Sequence, residues 1–193
     1  MPTLINVFEV AQGVDDEFVA EWKRARDFLL ARKGYVDTAL HRSLAPQAEF
    51  RFVNVARVDA LERWLAIVSD SAFPRHLPAT PNPALYEVVR EDETGAGDAH
   101  AVLINPFEVP AGEDEAFLAA WEGARETMRD ADGYLGTRLY GSVAPDARFR
   151  FVNVAPWRSP DDFQAALQRP GFQEAASAMR LPAHPALYEV VAR

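Results

Sequence analysis

The sequence predicts an α+β protein of two ferredoxin-like repeats, each with the element order β-α-β-β-α-β, that pack sheet to sheet as an intrachain pseudo-dimeric α+β barrel. Two observations carry this prediction. Three motifs from the first half of the chain return in the second half. Within each copy, apolar residues recur with the spacing of strands in some segments and of helices in others.

The repeated motifs indicate a tandem duplication, because self-similarity over this length is the signature of a repeated unit. They are LINVFEV and LINPFEV (from Leu4 and Leu103), FRFVNVA (from Phe50 and Phe149) and PALYEVV (from Pro83 and Pro185). The predicted boundaries are residues 1–90 for repeat 1, 91–101 for a polar, glycine-containing linker and 102–193 for repeat 2.

The periodicity of repeat 1 gives its elements in order. Alternating apolar residues over Leu4–Val10 predict a strand. The spacing of Phe18, Trp22, Ala25 and Leu29 predicts an amphipathic helix. The remaining predicted elements are strands Tyr35–Ser43 and Phe50–Val58, helix Leu61–Phe73 and strand Leu85–Arg90.

A single repeat of this kind would leave one apolar face of its sheet uncovered. Phe50 and Phe52 alternate with Arg51 and Val53, so both faces of the third strand carry substantial side chains. Packing the two sheets together covers the exposed face. The alternative, two independent domains on a linker, would expose a large apolar surface in each.

Composition excludes several functional classes. The formal net charge of −9 gives no electrostatic basis for binding nucleic acid or an anionic membrane. The absence of cysteine rules out disulfides, zinc-thiolate sites and iron–sulfur clusters. The sequence has neither a secretory signal nor a membrane-spanning apolar run, so we expect a cytoplasmic protein.

Nucleotide-binding and hydrolase motifs are missing from the sequence. It has no P-loop, no G-x-G-x-x-G, no H-E-x-x-H and no G-x-S-x-G. We therefore expect neither a flavin nor a nicotinamide cofactor.

Two motifs resemble the antibiotic biosynthesis monooxygenase superfamily of dimeric α+β barrels. They are I-N-x-x-E-V-x-x-G (Ile5–Gly13 and Ile104–Gly112) and W-x-S-x-x-x-F-Q-A (Trp157–Ala165). The resemblance covers nearly the whole chain, once per copy. It implies oxygenase chemistry, which in this superfamily includes cofactor-free oxidation of polyketide phenols and haem degradation.

Repeat 1 also resembles the bacterial haem-degrading members, and this resemblance implies three site residues. The first-strand asparagine of those enzymes matches Asn6, and the second-helix tryptophan matches Trp64, with Ala166 as its counterpart in repeat 2. The axial histidine falls near Phe73 by family spacing, while the available residue is His76, about one helical turn later. Repeat 1 is then the active half.

Each of these residues also has a structural interpretation. Asn6 and its counterpart Asn105 are then amides that stabilise the fold, since a buried amide without a partner costs about 1–3 kcal/mol. Trp64 lies between Leu61 and Leu65 and fits ordinary core packing. His76 lies in a loop-like stretch between two prolines, where solvent exposure is common.

A pocket built on the sheet adds further candidates. His41 on the second strand, opposed by Tyr140 in repeat 2, is a candidate general base. The residues that we predict to line the substrate pocket are Phe8, Phe52, Phe73, Asn105 and Tyr140. Arg51 and Arg150 recur in the apolar third strand, which indicates salt bridges; the candidate partners are Glu9, Glu108, Glu87 and Glu189.

Three functions remain open at this point. The first is an oxygenase acting on a hydrophobic planar substrate in repeat 1, with haem, bound through His76, as both substrate and cofactor. The second is a cofactor-free monooxygenase that oxidises phenolic or polyketide aromatics with a base such as His41. The third is a non-catalytic ligand-binding module. In each case the expected partner is a small hydrophobic aromatic ligand, and the chain itself is a monomer or a weak homodimer.

Overall fold

A computed structural model of the chain describes residues 2–32, 34–59, 61–74, 76–92, 97–178 and 180–193. Repeat 1 contains β1 (Thr3–Val10), α1 (Asp15–Leu30), β2 (Tyr35–Ser43), β3 (Phe52–Val58), α2 (Leu61–Ser69) and β4 (Ala79–Glu91). Repeat 2 contains β5 (Ala101–Phe107), α3 (Asp114–Met128), β6 (Arg138–Ser142), β7 (Phe151–Trp157), α4 (Pro160–Ala166), α5 (Phe172–Ala178) and β8 (Ala186–Ala192). The α+β class and the two ferredoxin-like repeats predicted from the sequence are confirmed.

The chain divides into two compact units. Unit 1 consists of residues 1–87 together with Val190–Arg193, and unit 2 consists of Val88–Glu189. Unit 1 therefore contains repeat 1 as far as Glu87 in β4, together with the last residues of β8. Unit 2 contains repeat 2 as far as Glu189 in β8, together with the end of β4.

The sheet of unit 1 has an antiparallel order in which β1 lies between β3 and β4, and β3 lies between β1 and β2. Asn6 of β1 pairs with Asn54 of β3, and Asn54 pairs in turn with Leu40 of β2. Residues that pair directly share one face of the sheet, and neighbours along a strand point to opposite faces. Asn6 and Asn54 therefore lie on one face, and Val7 and Val53 lie on the other.

The first of these faces packs against the helices. Phe18 of α1 stacks on Phe52 with ring centroids 4.5 Å apart and meets Phe8 edge to face at 4.9 Å. All three are almost completely buried. Unit 2 repeats the arrangement with Phe117, Phe151 and Phe107. Aromatic rings in this geometry contribute stability beyond their area of burial, so this cluster fixes α1 and α3 on their sheets.

Several element boundaries differ from those that we predicted. Helix α2 ends at Ser69, and Phe73 lies in the following loop. Strand β4 begins at Ala79 and is 13 residues long, because Pro81 and Pro83 pair with Phe8 and Asn6 in spite of lacking an N–H. Both ends of the predicted linker, Glu91 and Ala101, are strand residues.

Candidate functional site

Asn6 and Trp64 both lie on the helix-facing side of the sheet in unit 1. Asn6 shares this face with Leu4, and Trp64 packs against the buried cluster to which Leu4 belongs. The Oδ1 atom of Asn6 and the Nε1 atom of Trp64 are buried and have no hydrogen-bond partner among the described residues. The structure thus brings together, on one face, a hydrogen-bond acceptor and a hydrogen-bond donor that are both unsatisfied.

The neighbouring polar residues on this face satisfy one another. The Thr38 hydroxyl donates to the Oδ1 atom of Asn54 at 2.6 Å, and both side chains are buried. In unit 2 the Thr137 hydroxyl donates to Asn153 at the same distance. Because this pair is present in both units and is internally satisfied, it has a structural role. Asn6 differs from Asn54, because the Oδ1 atom of Asn6 has no hydrogen-bond partner among the described residues.

Aromatic and aliphatic side chains surround Trp64. Trp64 and Phe73 are half-buried and pack against a cluster that includes Val58 and Ile67. Phe73 meets Phe28 of α1 edge to face, with ring centroids 5.7 Å apart. The indole of Trp64 is therefore partly accessible to solvent and partly packed against apolar groups.

His41 lies on the opposite face of the sheet from Asn6. It pairs with Val53, and its Nδ1 atom is 3.2 Å from the Val53 carbonyl oxygen. Burial lowers its pKa to about 4, against backbone hydrogen bonds that favour the protonated ring. The sheet therefore separates His41, the candidate general base, from Asn6, and the structure does not bring these two predicted site residues together.

The other predicted residues of repeat 1 occupy two different environments. The Phe8 and Phe52 rings are packed against Phe18 and are almost completely buried. His76 is exposed in the loop between α2 and β4. Of the predicted residues on the covered side of the sheet, Asn6, Trp64 and Phe73 thus lie outside the cluster formed by Phe8, Phe18 and Phe52.

Unit 2 holds the counterparts of the site. Asn105 pairs with Asn153, and its Oδ1 atom, like that of Asn6, has no hydrogen-bond partner among the described residues. Tyr140 is buried and pairs with Val152, which places it on the opposite face from Asn105. Asn105 and Tyr140 therefore do not line one pocket on the sheet of unit 2.

The counterpart of Trp64 in repeat 2 is Phe163 rather than Ala166. Helix α2 begins three residues after Val58, and α4 begins three residues after Trp157, so the two helices start in register. The three additional residues of repeat 2 lie later, in the segment that contains α5. The Pro-Gly pair before Phe172 is the sequence signal that marks this second short helix, and the alignment from which Ala166 was inferred missed it.

A cavity of about 310 Å³ lies at the other end of the unit 1 sheet. It is lined by the loop between β1 and α1 and by charged residues that include Asp15, Arg42 and Arg51. Arg51 binds Asp15 at 2.7 Å, and Arg150 binds Asp114 at 2.7 Å in unit 2. The recurrent arginines thus form the predicted salt bridges, but with aspartates at the helix starts and not with the glutamates that we expected.

The described part of the chain has no group of three or more His, Asp or Glu side chains that could hold a metal ion. None of its helices is long and apolar enough to cross a membrane.

The fold and the paired asparagines define a tandem ferredoxin-like α+β protein. Residues 101–178 match the family model described as antibiotic biosynthesis monooxygenase. Repeat 2 therefore carries a domain of this family, which confirms the predicted family over these residues. A search of the curated proteins gives no match.

Solved structures with the same fold cover nearly the whole chain. An anthrone oxidase-like protein shares 15% identity over 99% of this chain and 91% of its own, with a TM-score of 0.76. A ferredoxin-fold protein from Listeria monocytogenes, described as related to antibiotic biosynthesis monooxygenases, shares 12% identity over 100% and 96%, with a TM-score of 0.56. A heme-degrading enzyme from Listeria monocytogenes shares 13% identity over 97% and 98%, with a TM-score of 0.54. At these identities the similarity shows the fold alone.

Proposed function

We propose that this protein is a monooxygenase that uses O2 to oxidise a planar phenolic aromatic, held by repeat 1 between α2 and the sheet. The observation that supports this proposal is the pair of unsatisfied buried atoms, Asn6 Oδ1 and Trp64 Nε1. A buried polar group without a partner costs about 1–3 kcal/mol, and a ligand that supplies the partner recovers that cost. A phenolic hydroxyl would donate to Asn6, and a carbonyl oxygen of the same ring system would accept from Trp64.

The apolar surroundings favour a flat ring system over a small polar ligand. The half-buried indole of Trp64 offers an aromatic surface for stacking, and Val58, Ile67 and Phe73 supply apolar contacts. Exclusion of water from such a site strengthens the two polar contacts and protects reactive intermediates of the substrate. Asn6 orients the substrate oxygen and does not remove a proton, because an amide is not a base at neutral pH.

The reaction balances without an added reductant. When a CH2 group flanked by aromatic rings is converted to a quinone carbonyl, one oxygen atom of O2 becomes the carbonyl oxygen. The other leaves as water with the two hydrogens of the CH2 group. The substrate supplies all the electrons, so neither flavin nor nicotinamide is needed.

Haem degradation is the second candidate function, and it is supported by the fold shared with the heme-degrading enzyme from Listeria monocytogenes. The residues of repeat 1 fit haem poorly. An axial ligand has to face the covered side of the sheet, whereas the His76 side chain is exposed in a loop. The phenolic substrate therefore remains the better match to the site.

Quinone formation tests the proposed function. We expect the protein to convert anthrone or a naphthol to the quinone, with matching O2 uptake, in the absence of metal, flavin and haem. Asn6→Leu removes the acceptor and should lower kcat/KM by about 10- to 100-fold, as expected for the loss of one buried substrate contact. Trp64→Phe keeps an aromatic surface, although a smaller one, and removes the N–H donor, so a smaller loss is expected. The matched variant Asn105→Leu tests whether the reaction belongs to repeat 1, since an equal loss there would contradict that assignment.

A hemin titration separates the two candidate functions. We expect the Soret band of added hemin to be the same with the wild-type protein and with His76→Ala, because an exposed loop histidine does not form a defined axial bond. A shifted Soret band that disappears in His76→Ala, together with no quinone from the phenolic substrates, would contradict the phenolic proposal and favour haem.

A further inference from the structure

The two repeats place their aromatic side chains differently on the helix-facing side of the sheet. The last residue of β3 is Val58, and the last residue of β7, its counterpart, is Trp157. Conversely, Phe28 of α1 corresponds to Thr127 of α3. Repeat 2 therefore gains an indole from the strand and loses a phenyl ring from the helix.

Trp157 fills the interior of unit 2. It is 1% exposed, and its ring meets those of Tyr134 and Phe163 edge to face, with centroids 5.4 Å and 5.3 Å apart. Buried alanines surround it: Ala101, Ala155 and Ala166 belong to the same cluster. Small residues around one large ring indicate a close-packed arrangement with no room for a ligand ring.

The corresponding region of unit 1 is more open. Trp64 is half-buried, whereas its counterpart Phe163 is 8% exposed. Val58 occupies much less volume than an indole, and the half-buried Phe73 ring packs against the cluster that contains Val58 and meets Phe28 edge to face. A planar ligand that stacks on Trp64 thus competes with fewer and more accessible side chains in unit 1.

We infer that Trp157 closes the repeat 2 counterpart of the ligand site, so that one chain binds one planar aromatic ligand, in repeat 1. This inference rests on the proposed function, because it assumes that the ligand binds on the helix-facing side of the sheet. Asn105 still has its unsatisfied oxygen in repeat 2. The buried Nε1 atom of Trp157 also lacks a partner among the described residues. Occupation of the space by the Trp157 ring, and not loss of polar groups, is therefore what would keep a ligand out of repeat 2.

Counting bound ligand tests the inference. We use 1-naphthol under argon, which prevents turnover, and measure ligand bound per chain at saturation by equilibrium dialysis. The wild-type protein should bind one molecule. Trp157→Val removes the ring that fills unit 2 and should raise the number to two.

A reverse variant keeps the test decisive if Trp157→Val does not fold. Val58→Trp combined with Phe28→Thr gives repeat 1 the aromatic arrangement of repeat 2, and it should reduce the wild-type stoichiometry from one to zero. Circular dichroism and the thermal unfolding midpoint establish that each variant is folded.

The possible failures are distinguishable. Any of three results would overturn the role of Trp157. They are two molecules bound by the wild-type protein, only one bound by folded Trp157→Val, or one still bound by the double variant. No binding by the wild-type protein would instead overturn the proposed function on which the inference rests.

Discussion

Replacing Asp92 by alanine lowers the free energy of unfolding by an expected 3–5 kcal/mol, roughly the cost of breaking a buried ion pair by removing one partner. The Asp92 and Arg125 side chains are 11% and 14% exposed. The Arg125 Nε atom donates to the Asp92 carboxylate at 2.9 Å, and the Tyr134 hydroxyl donates to it at 2.6 Å. Without the carboxylate, the Nε and Nη2 atoms of Arg125 and the Tyr134 hydroxyl lose their acceptor, while the Nη1 atom of Arg125 keeps Glu122 and Glu126. Urea unfolding of the two proteins, followed by tryptophan fluorescence, measures the difference.

The matched control is Asp37→Ala, which breaks an aspartate–arginine pair at the surface. Asp37 and its partner Arg57 are 49% and 56% exposed, so water replaces the lost contact and the expected cost is about 0–1 kcal/mol. Equal losses in the two variants would contradict the structural importance of Asp92.

The same carboxylate also makes stability depend on pH. Burial opposes ionisation of Asp92, but the hydrogen bonds from Arg125 and Tyr134 and the charge of Arg125 outweigh it, and they lower the pKa. The stabilisation is therefore fully present above the ordinary aspartate pKa and is lost as the pH falls through the lower pKa of the folded state.

Acidification from pH 7 to pH 4 is expected to lower the free energy of unfolding by about 3 kcal/mol through His41 alone. Burial lowers the pKa of His41 from 6.5 to about 4 in the folded protein. Below pH 6.5 the unfolded chain therefore takes up a proton that the folded chain does not accept. The contribution to stability is present in full above pH 6.5 and is lost progressively between pH 6.5 and pH 4.

His41→Gln isolates this effect, because glutamine retains an N–H donor for the Val53 carbonyl but does not titrate. Between pH 7 and pH 4, the loss in free energy of unfolding should therefore be about 3 kcal/mol smaller for this variant than for the wild-type protein. Parallel profiles for the wild-type protein and His41→Gln would show that His41 is not buried in its neutral form.

Local patterns in the sequence predicted the repeats and most of their elements well. The apolar spacing of α1 and the alternation of β1 are local properties, and the structure has both elements almost as predicted. Strand β4 was predicted too short, because Pro81 and Pro83 are usually excluded from strands, and only the pairing with β1 shows that they are accommodated.

The site was less predictable, since it depends on which face each residue occupies and on contacts distant in sequence. Asn6 was singled out by its repeated motif, and its unsatisfied oxygen is a property of the packed structure. His41 was placed in the same site because histidine suits a general base, but its pairing with Val53 puts it on the other face. The aspartate partners of Arg51 and Arg150 lie 36 residues away in sequence, a separation at which no pairing can be inferred.

The exchange of Phe28 and Val58 for Thr127 and Trp157 has a consequence for protein engineering. Residues at equivalent positions of the two halves are not interchangeable one at a time, because Phe28 and Val58 belong to one apolar cluster whereas Trp157 packs in a cluster of different composition. A chimera built from these halves should therefore transfer the helix residue and the strand residue together. The two halves thus fill equivalent interiors with different sets of rings, and a residue-by-residue alignment of the halves underestimates how different these interiors are.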